Sequence, residues 1–219
     1  VSALRVSCFD YGAGNLHSLV KALEAGGATV TVHTDPVAAC KDTDALVLPG
    51  VGAFAPAALR LAPGRDAIRT AVAEGLPLLG ICLGMQLMLD GSDEGEGQGL
   101  GLVPGRVRRL QAVRVPQIGW NQLDDVTDPL LLQAGLRVAY YANSYVARPG
   151  AHAMGAVVAS STHEADRFPA AVRTGPARRV VGVQFHPEKS SAPGVAFLRA
   201  FLAMAAEGRR SPAITKEPS

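Results

Sequence analysis

The sequence predicts an α/β protein with a central, mostly parallel sheet flanked by helices and with antiparallel hairpins in its C-terminal half. Three observations carry this. Residues 4–90 alternate short apolar runs with stretches of helical periodicity, the rhythm of βαβ units. From Gly105 short alternating strands replace that rhythm, separated by turn residues at Asp128-Pro129, Arg148-Pro149-Gly150 and Gly175-Pro176. Between them, Leu76 to Ile81 is a continuous apolar run, the form of a strand buried on both faces.

Each element follows in order. Leu4 to Phe9 opens as a strand and runs into the turn Asp10-Tyr11-Gly12-Ala13-Gly14-Asn15. Leu16, Leu19, Val20 and Leu23 recur at helical spacing, Gly26-Gly27 ends that helix, and Ala28 to His33 is a second strand. Gly12-x-Gly14 is half of a dinucleotide fingerprint, but its third glycine is replaced by His17. The turn nevertheless follows a strand, at the end where α/β folds place ligands. Asp44 to Leu48 is a third strand, leading into Pro49-Gly50-Val51-Gly52-Ala53-Phe54. That turn can point several N–H groups outward toward an anion, or it can be an ordinary strand-to-helix turn. Ala67 to Ala73 is a helix with Arg65, Asp66, Arg69 and Glu74 on its wet face. Gly91 to Gly101 is a loop in which Glu94 and Glu96 read most simply as solvated charges.

Strands are then expected at Arg106–Leu110, Val113–Ile118, Arg137–Asn143, Ala156–Ser160, Ala170–Thr174 and Arg179–Gln184, packed against or extending the parallel sheet. The lone Trp120 reads as a core residue. Arg106, Arg108 and Arg109 read as a solvated edge. Val195 to Met204 is a closing helix. Residues 1–206 form one domain, and 207–219, polar with two prolines, a frayed tail.

Composition narrows the function classes. The chain has 219 residues, 48% of them apolar, enough for one large α/β core. No run approaches ~18 uncharged apolar residues, so no membrane span is expected. The opening Val-Ser-Ala-Leu-Arg-Val enters a strand directly and has no secretory pattern. Three widely spaced cysteines, Cys8, Cys40 and Cys82, suggest neither a disulfide framework nor a zinc site and fit a cytoplasmic protein. A net charge of +2 argues against nucleic acid as a partner.

Two stretches carry chemistry. In Gly80-Ile81-Cys82-Leu83-Gly84-Met85-Gln86 a cysteine sits between a buried strand and a helix start, with a glycine on each side. This is the cysteine form of a nucleophile elbow. A helix start aims free N–H groups and a positive dipole end at the sulfur, favouring thiolate and a developing oxyanion. The plain alternative is a cysteine serving as a small buried hydrophobe. The second stretch is Gln184-Phe185-His186-Pro187-Glu188-Lys189-Ser190-Ser191, at the end of the apolar strand that begins at Val180. In extended geometry His186 and Glu188 point to one side, so one can be a base and the other can orient it. A surface His and Glu at a turn is the plain alternative.

These two motifs together resemble the class I (triad) glutamine amidotransferases. Asp10-Tyr11-Gly12 with Asn15-Leu16 and Ser18, Pro49-Gly50-Val51-Gly52, Gly119-Trp120-Asn121 and His186-Pro187-Glu188-Lys189-Ser190-Ser191 narrow the likeness to the glutaminase subunits of imidazole glycerol phosphate synthase. The resemblance spans about Leu4 to about Ala205. It implies a flavodoxin-like three-layer fold and glutamine hydrolysis through a cysteine thioester, with no cofactor and no metal. The implied catalytic residues are Cys82, His186 and Glu188. The implied oxyanion hole is made by N–H groups of Gly50, Val51, Gly52 and Leu83. Gln86, the loop around Glu94, and Ser144-Tyr145 would hold the amino-acid end of glutamine. A (β/α)₈-barrel cyclase would be the heterodimer partner and take the ammonia, forming imidazole glycerol phosphate and an aminoimidazole carboxamide ribonucleotide in histidine biosynthesis. Asn15, Trp120, Tyr145 and Lys189 would lie near that interface.

Three positions depart from the family's pattern: Asn143 stands where His usually precedes the Ser/Thr-Tyr pair, and Gln117-Ile118 where His-Met usually precedes Gly-Trp-Asn. Two other readings compete. One is the glutaminase of pyridoxal phosphate synthase, which shares the triad; the Lys189-Ser190-Ser191 extension and Gly119-Trp120-Asn121 argue against it. The other is a non-catalytic flavodoxin-like module with a nucleotide at the Gly12 turn.

Overall fold

In the computed structural model, residues 3–12, 16–50 and 52–208 are described. Asn15 and Val51 lie outside them, as do Ala13 and Gly14 of the first turn. The first half of the chain folds as β1 (Leu4–Phe9), α1 (His17–Ala25), β2 (Ala28–His33), β3 (Ala45–Leu48), α2 (Phe54–Leu61), α3 (Arg65–Ala73), β4 (Leu78–Ile81) and α4 (Leu83–Gln86). The second half follows as β5 (Gly91–Ser92), β6 (Gly105–Arg109), β7 (Gln117–Gln122), α5 (Pro129–Gln133), β8 (Val138–Asn143), β9 (Tyr145–Pro149), β10 (Val157–His163), β11 (Asp166–Thr174), β12 (Val180–Val183) and α6 (Ser191–Gly208).

The apolar runs of β3 and β4 are wholly buried because they lie in the middle of a seven-stranded sheet, ordered β10-β11-β12-β4-β3-β1-β2. Strands β2, β1, β3, β4 and β12 are parallel; β11 and β10 extend the sheet antiparallel beyond β12. Alternate side chains feed two cores. Val6, Cys8, Leu79, Ile81, Val181 and Val183 pack with Leu19 and Leu23 of α1 and Phe197, Leu198 and Phe201 of α6. Phe9, Leu46, Leu48, Leu78 and Val180 pack with Phe54 and Ala57 of α2 and Ile68 and Val72 of α3. Helices on both faces are what an all-buried parallel sheet requires.

Several boundaries differ from expectation. The strand expected at Val113–Ile118 begins at Gln117 instead and runs to Gln122. Pro116 has no N–H to donate to a ladder. Residues 111–114 are held as a loop: Gln111 N–H donates to Asp166, and Val113 and Arg114 N–H donate to Glu164. Helix α2 was not legible in its alanine-rich sequence. Asp128-Pro129 is the start of α5, where the Asp128 carboxylate caps the Leu130 and Leu131 N–H groups, worth about 1 kcal/mol. The segment 145–149 is a further strand, paired with β6. The closing helix includes Glu207 and Gly208, which the sequence assigned to the tail. Arg106 and Arg108 are exposed on β6, both beside Asp93, as a solvated edge should be.

Candidate active site

The register of two parallel strands assembles the site. In the β4–β12 pair, Ile81 stands opposite Val183. Cys82, one residue past β4, and His186, three past Val183, therefore emerge at the same carboxyl end of the sheet, where open α/β folds place their ligands. The Cys82 N–H closes the junction by donating to the Val183 carbonyl at 2.7 Å.

The elbow is strained as a nucleophile elbow should be. Cys82 has φ 48° and ψ −104°, a region that costs a non-glycine residue on the order of 1–3 kcal/mol. The flanking glycines are steric necessities: a Cβ on Gly80 would come within 2.7 Å of the Gly84 carbonyl group, and one on Gly84 would run into the Leu48 carbonyl oxygen. Helix α4 has one turn, and Leu83 is its first residue, with an N–H that has no helical acceptor.

Gly50 shows how close the two motifs come. A Cβ built there would lie 2.9 Å from both Cys82 Cβ and His186 Cε1. Those two atoms are thus no more than twice that distance apart. His186 Nδ1 is 2.8 Å from Glu188 Oε1. The segment is a 3₁₀ turn, Pro187–Lys189, rather than the extended chain the sequence suggested, and the pair forms all the same. Burial lowers the basicity of the His186 imidazole. Hydrogen bonding and charge attraction from Cys82 and Glu188 outweigh it and push the imidazole up to about 10. Burial pushes the Cys8 thiol up to about 12 and the Cys40 thiol up to about 11.

The remaining expected residues divide. Gln86 is buried, and its Nε2 donates to the Tyr145 carbonyl at 2.9 Å. Glu94 is not a solvated charge. Its Oε2 accepts the Phe54 N–H at 2.9 Å, capping α2 two residues after Gly52. Ser144 and Tyr145 are half-buried where β8 passes into β9. Gly52 precedes α2 and Leu83 opens α4, as expected; Val51 lies outside the described residues. Trp120 is 55% exposed, so the core reading is overturned; its ring meets Tyr140 edge-on, with centroids 6.1 Å apart. Lys189 is exposed, with its Nζ 5.9 Å from the Tyr140 ring centre. The departures Gln117 and Asn143 are register partners, both buried.

Two residues were missed. Ser190 Oγ takes the Tyr140 N–H at 2.9 Å and donates to the His186 carbonyl at 2.7 Å, clasping the histidine turn to β8. Gln184 is fully buried beside Cys82. Both are polar residues in otherwise apolar or turn-forming company, which was the available signal. A cavity of about 150 Å³ opens beside His186 and Glu188, lined also by Gly50 and Ser18. A larger cleft of about 330 Å³, lined by Asp44, Pro77 and Arg179, lies at the opposite, amino ends of β3, β4 and β12.

Comparison with known proteins bears on the family and the fold. The family model for class-I glutamine amidotransferases matches residues 7–205. The imidazole glycerol phosphate synthase subunit HisH of Halobacterium salinarum is 46% identical over 201 residues, covering 88% of this chain and 90% of that protein. The HisH subunit of Cutibacterium acnes is 43% identical over 206 residues, covering 91% and 96%. Two solved structures show the same fold. A putative GMP synthase protein from Thermoplasma acidophilum has a TM-score of 0.71 at 18% identity, covering 95% of this chain and 97% of that one. The Trypanosoma brucei CTPS glutaminase domain with bound acivicin has a TM-score of 0.65 at 16% identity, covering 99% and 98%. The chain belongs to the class-I glutamine amidotransferases, and within them to the HisH glutaminase subunits of imidazole glycerol phosphate synthase.

Proposed function

We propose that Cys82, His186 and Glu188 form the catalytic triad of a glutaminase that feeds ammonia to a (β/α)₈-barrel cyclase. The observation that carries this is the meeting of the elbow cysteine with the Glu188-bound imidazole at one end of the sheet. The sulfur attacks the side-chain amide carbon of glutamine. The carbonyl oxygen becomes an oxyanion, taken by the Leu83 N–H and by N–H groups of the 50–52 turn. Removing one such donor typically costs about 3 kcal/mol of transition-state stabilisation. His186, cationic at neutral pH, gives its proton to the leaving nitrogen, so ammonia departs and a glutamyl thioester remains. Water then attacks the thioester, with His186 taking its proton. Glutamate leaves, and the sulfur and imidazole return to their starting state.

Gln86, Glu94, Ser144 and Tyr145 would hold the amino-acid end of glutamine. The partner would dock on the outer face of the β7–β8 ribbon, where Ile118, Trp120 and Val138 are exposed apolar residues beside Lys189. Such a patch, rimmed by polar groups, is the form of a protein interface. A closed passage suits the chemistry, because ammonia in water at neutral pH is protonated and loses its nucleophilic pair.

The test is glutamine hydrolysis by the chain alone, with a matching cyclase and its nucleotide ligand, and with the barrel of pyridoxal phosphate synthase. Strong activation only by the cyclase is expected. Full activity of the isolated chain, unchanged by the cyclase, would contradict the partner; no activity in any mixture would contradict the triad.

A further inference from the structure

The buried side of Cys82 is held by a chain of amides that the hydrolytic steps leave unused. Gln184 stands one residue past β12. Its Nε2 lies 3.5 Å from Cys82 Sγ, and its Oε1 lies 3.4 Å from Gln86 Nε2. Gln86 Nε2 also donates to the Tyr145 carbonyl at 2.9 Å, and Asn143 Nδ2 donates to that same carbonyl at 3.1 Å.

One fixed group sets the sense of every bond. A backbone carbonyl can only accept, so Gln86 must turn its NH₂ toward Tyr145. The second hydrogen of that NH₂ points at Gln184, which must answer with its oxygen. Gln184 is left presenting its own NH₂ to the sulfur. Flipping either amide would set buried groups of like kind against each other, at about 1–3 kcal/mol for each unmatched group. A sulfur facing a fixed N–H donor is better satisfied as thiolate than as thiol, because the anion is the stronger acceptor.

We propose that Gln184 is a positioning residue for the reaction: its side-chain N–H holds and stabilises the Cys82 thiolate, in an orientation imposed by Gln86 and the Tyr145 carbonyl. This rests on Cys82 being the nucleophile of the proposed function. His186, backed by Glu188, is the titratable group that interacts with the sulfur; Gln184 adds a donor that does not titrate. The same chain ties the sulfur to the 144–145 segment, so a shift there on glutamine binding reaches the nucleophile through three hydrogen bonds.

The test is alkylation of Cys82 by iodoacetamide in the full chain, followed by peptide mass spectrometry across pH. This small electrophile needs neither the glutamine pocket nor the oxyanion donors. Gln184→Met keeps the length and bulk of the side chain and removes both amide atoms. It is expected to slow alkylation at pH 7 about tenfold and to move the midpoint of the pH profile upward, the scale of one lost hydrogen bond to a charged group. A profile superimposable on that of the wild type overturns the inference. If Gln184→Met does not fold, Gln86→Met carries the test. It frees Gln184 to turn, and roughly threefold slowing is expected from partial loss of one bond; no slowing overturns the inference. Neither readout needs glutamine or a partner. Absent glutaminase activity, which would overturn the proposed function, is thereby told apart from an unchanged alkylation profile.

Discussion

At the residue scale, His186 carries a pH signature. Its folded-state pKa of about 10 stands above the ordinary 6.5. A group whose folded value is raised contributes stability that is fully present below the unfolded value and is lost as pH rises through the folded one. The window is therefore about pH 6.5 to 10. Calorimetry should find the wild-type thermal midpoint falling more steeply between pH 7 and 10 than that of His186→Asn. Parallel curves would show that the imidazole is not held as a cation by Cys82 and Glu188. The proposed triad could be named from the sequence because Cys82, His186 and Glu188 fall within two short motifs. Gln184 and Ser190 sat in those same motifs but could not be assigned. Their partners are the Tyr145 carbonyl, reached through Gln86, and the Tyr140 N–H, backbone groups whose positions depend on the folded β8–β9 region.

At the scale of elements, Glu94 joins two loops that the sequence treats as unrelated. The α2 start has no cap of its own, since the N-cap position is Ala53. The cap comes from Glu94, itself fixed by donation of its N–H to Ser92 Oγ at 3.0 Å. Glu94→Ala should remove about 1 kcal/mol of stability, the ordinary worth of an N-cap. It should also lower kcat for glutamine, because Gly52, of the proposed oxyanion hole, lies two residues before the uncapped end. Glu94→Gln keeps an accepting oxygen and should stay nearer the wild type in both. Urea unfolding and steady-state kinetics of the two variants check this; equal stability of all three proteins would contradict the capping role. The same distance in sequence explains the missed helix. Phe54-Ala55-Pro56-Ala57-Ala58 shows no polar face and no local cap, so nothing nearby announces a helix. By contrast β1 and β2 matched expectation to the residue, because their alternation and their turns are local.

At the scale of the whole molecule, the fold class was legible and the strand order was not. Alternating β and α units dictate a parallel sheet with both faces covered. No local signal says that β12, separated from β4 by residues 82–179, inserts beside it. That insertion is what makes two distant motifs one site. The exposed ribbon is also a property of the whole: Trp120 lies on the outer face of β7 because the inner face is spent on Ala139 and Tyr141 of β8 against the core. Trp120→Ala should weaken binding to a cyclase barrel by about 2 kcal/mol, roughly thirtyfold, as an aromatic anchor does. The thermal midpoint of the isolated chain should stay put. Calorimetric titration against the barrel measures it, and an unaltered Kd would move the docking face elsewhere. The central claim, that the β4–β12 register gives one cysteine a base and the others none, is tested most directly by labelling with a glutamine-mimicking electrophile. Peptide mapping should find a single adduct at Cys82, absent from Cys82→Ala, slowed in His186→Ala and retained in Cys8→Ala and Cys40→Ala. An adduct at Cys8 or Cys40, or labelling indifferent to His186, would contradict it.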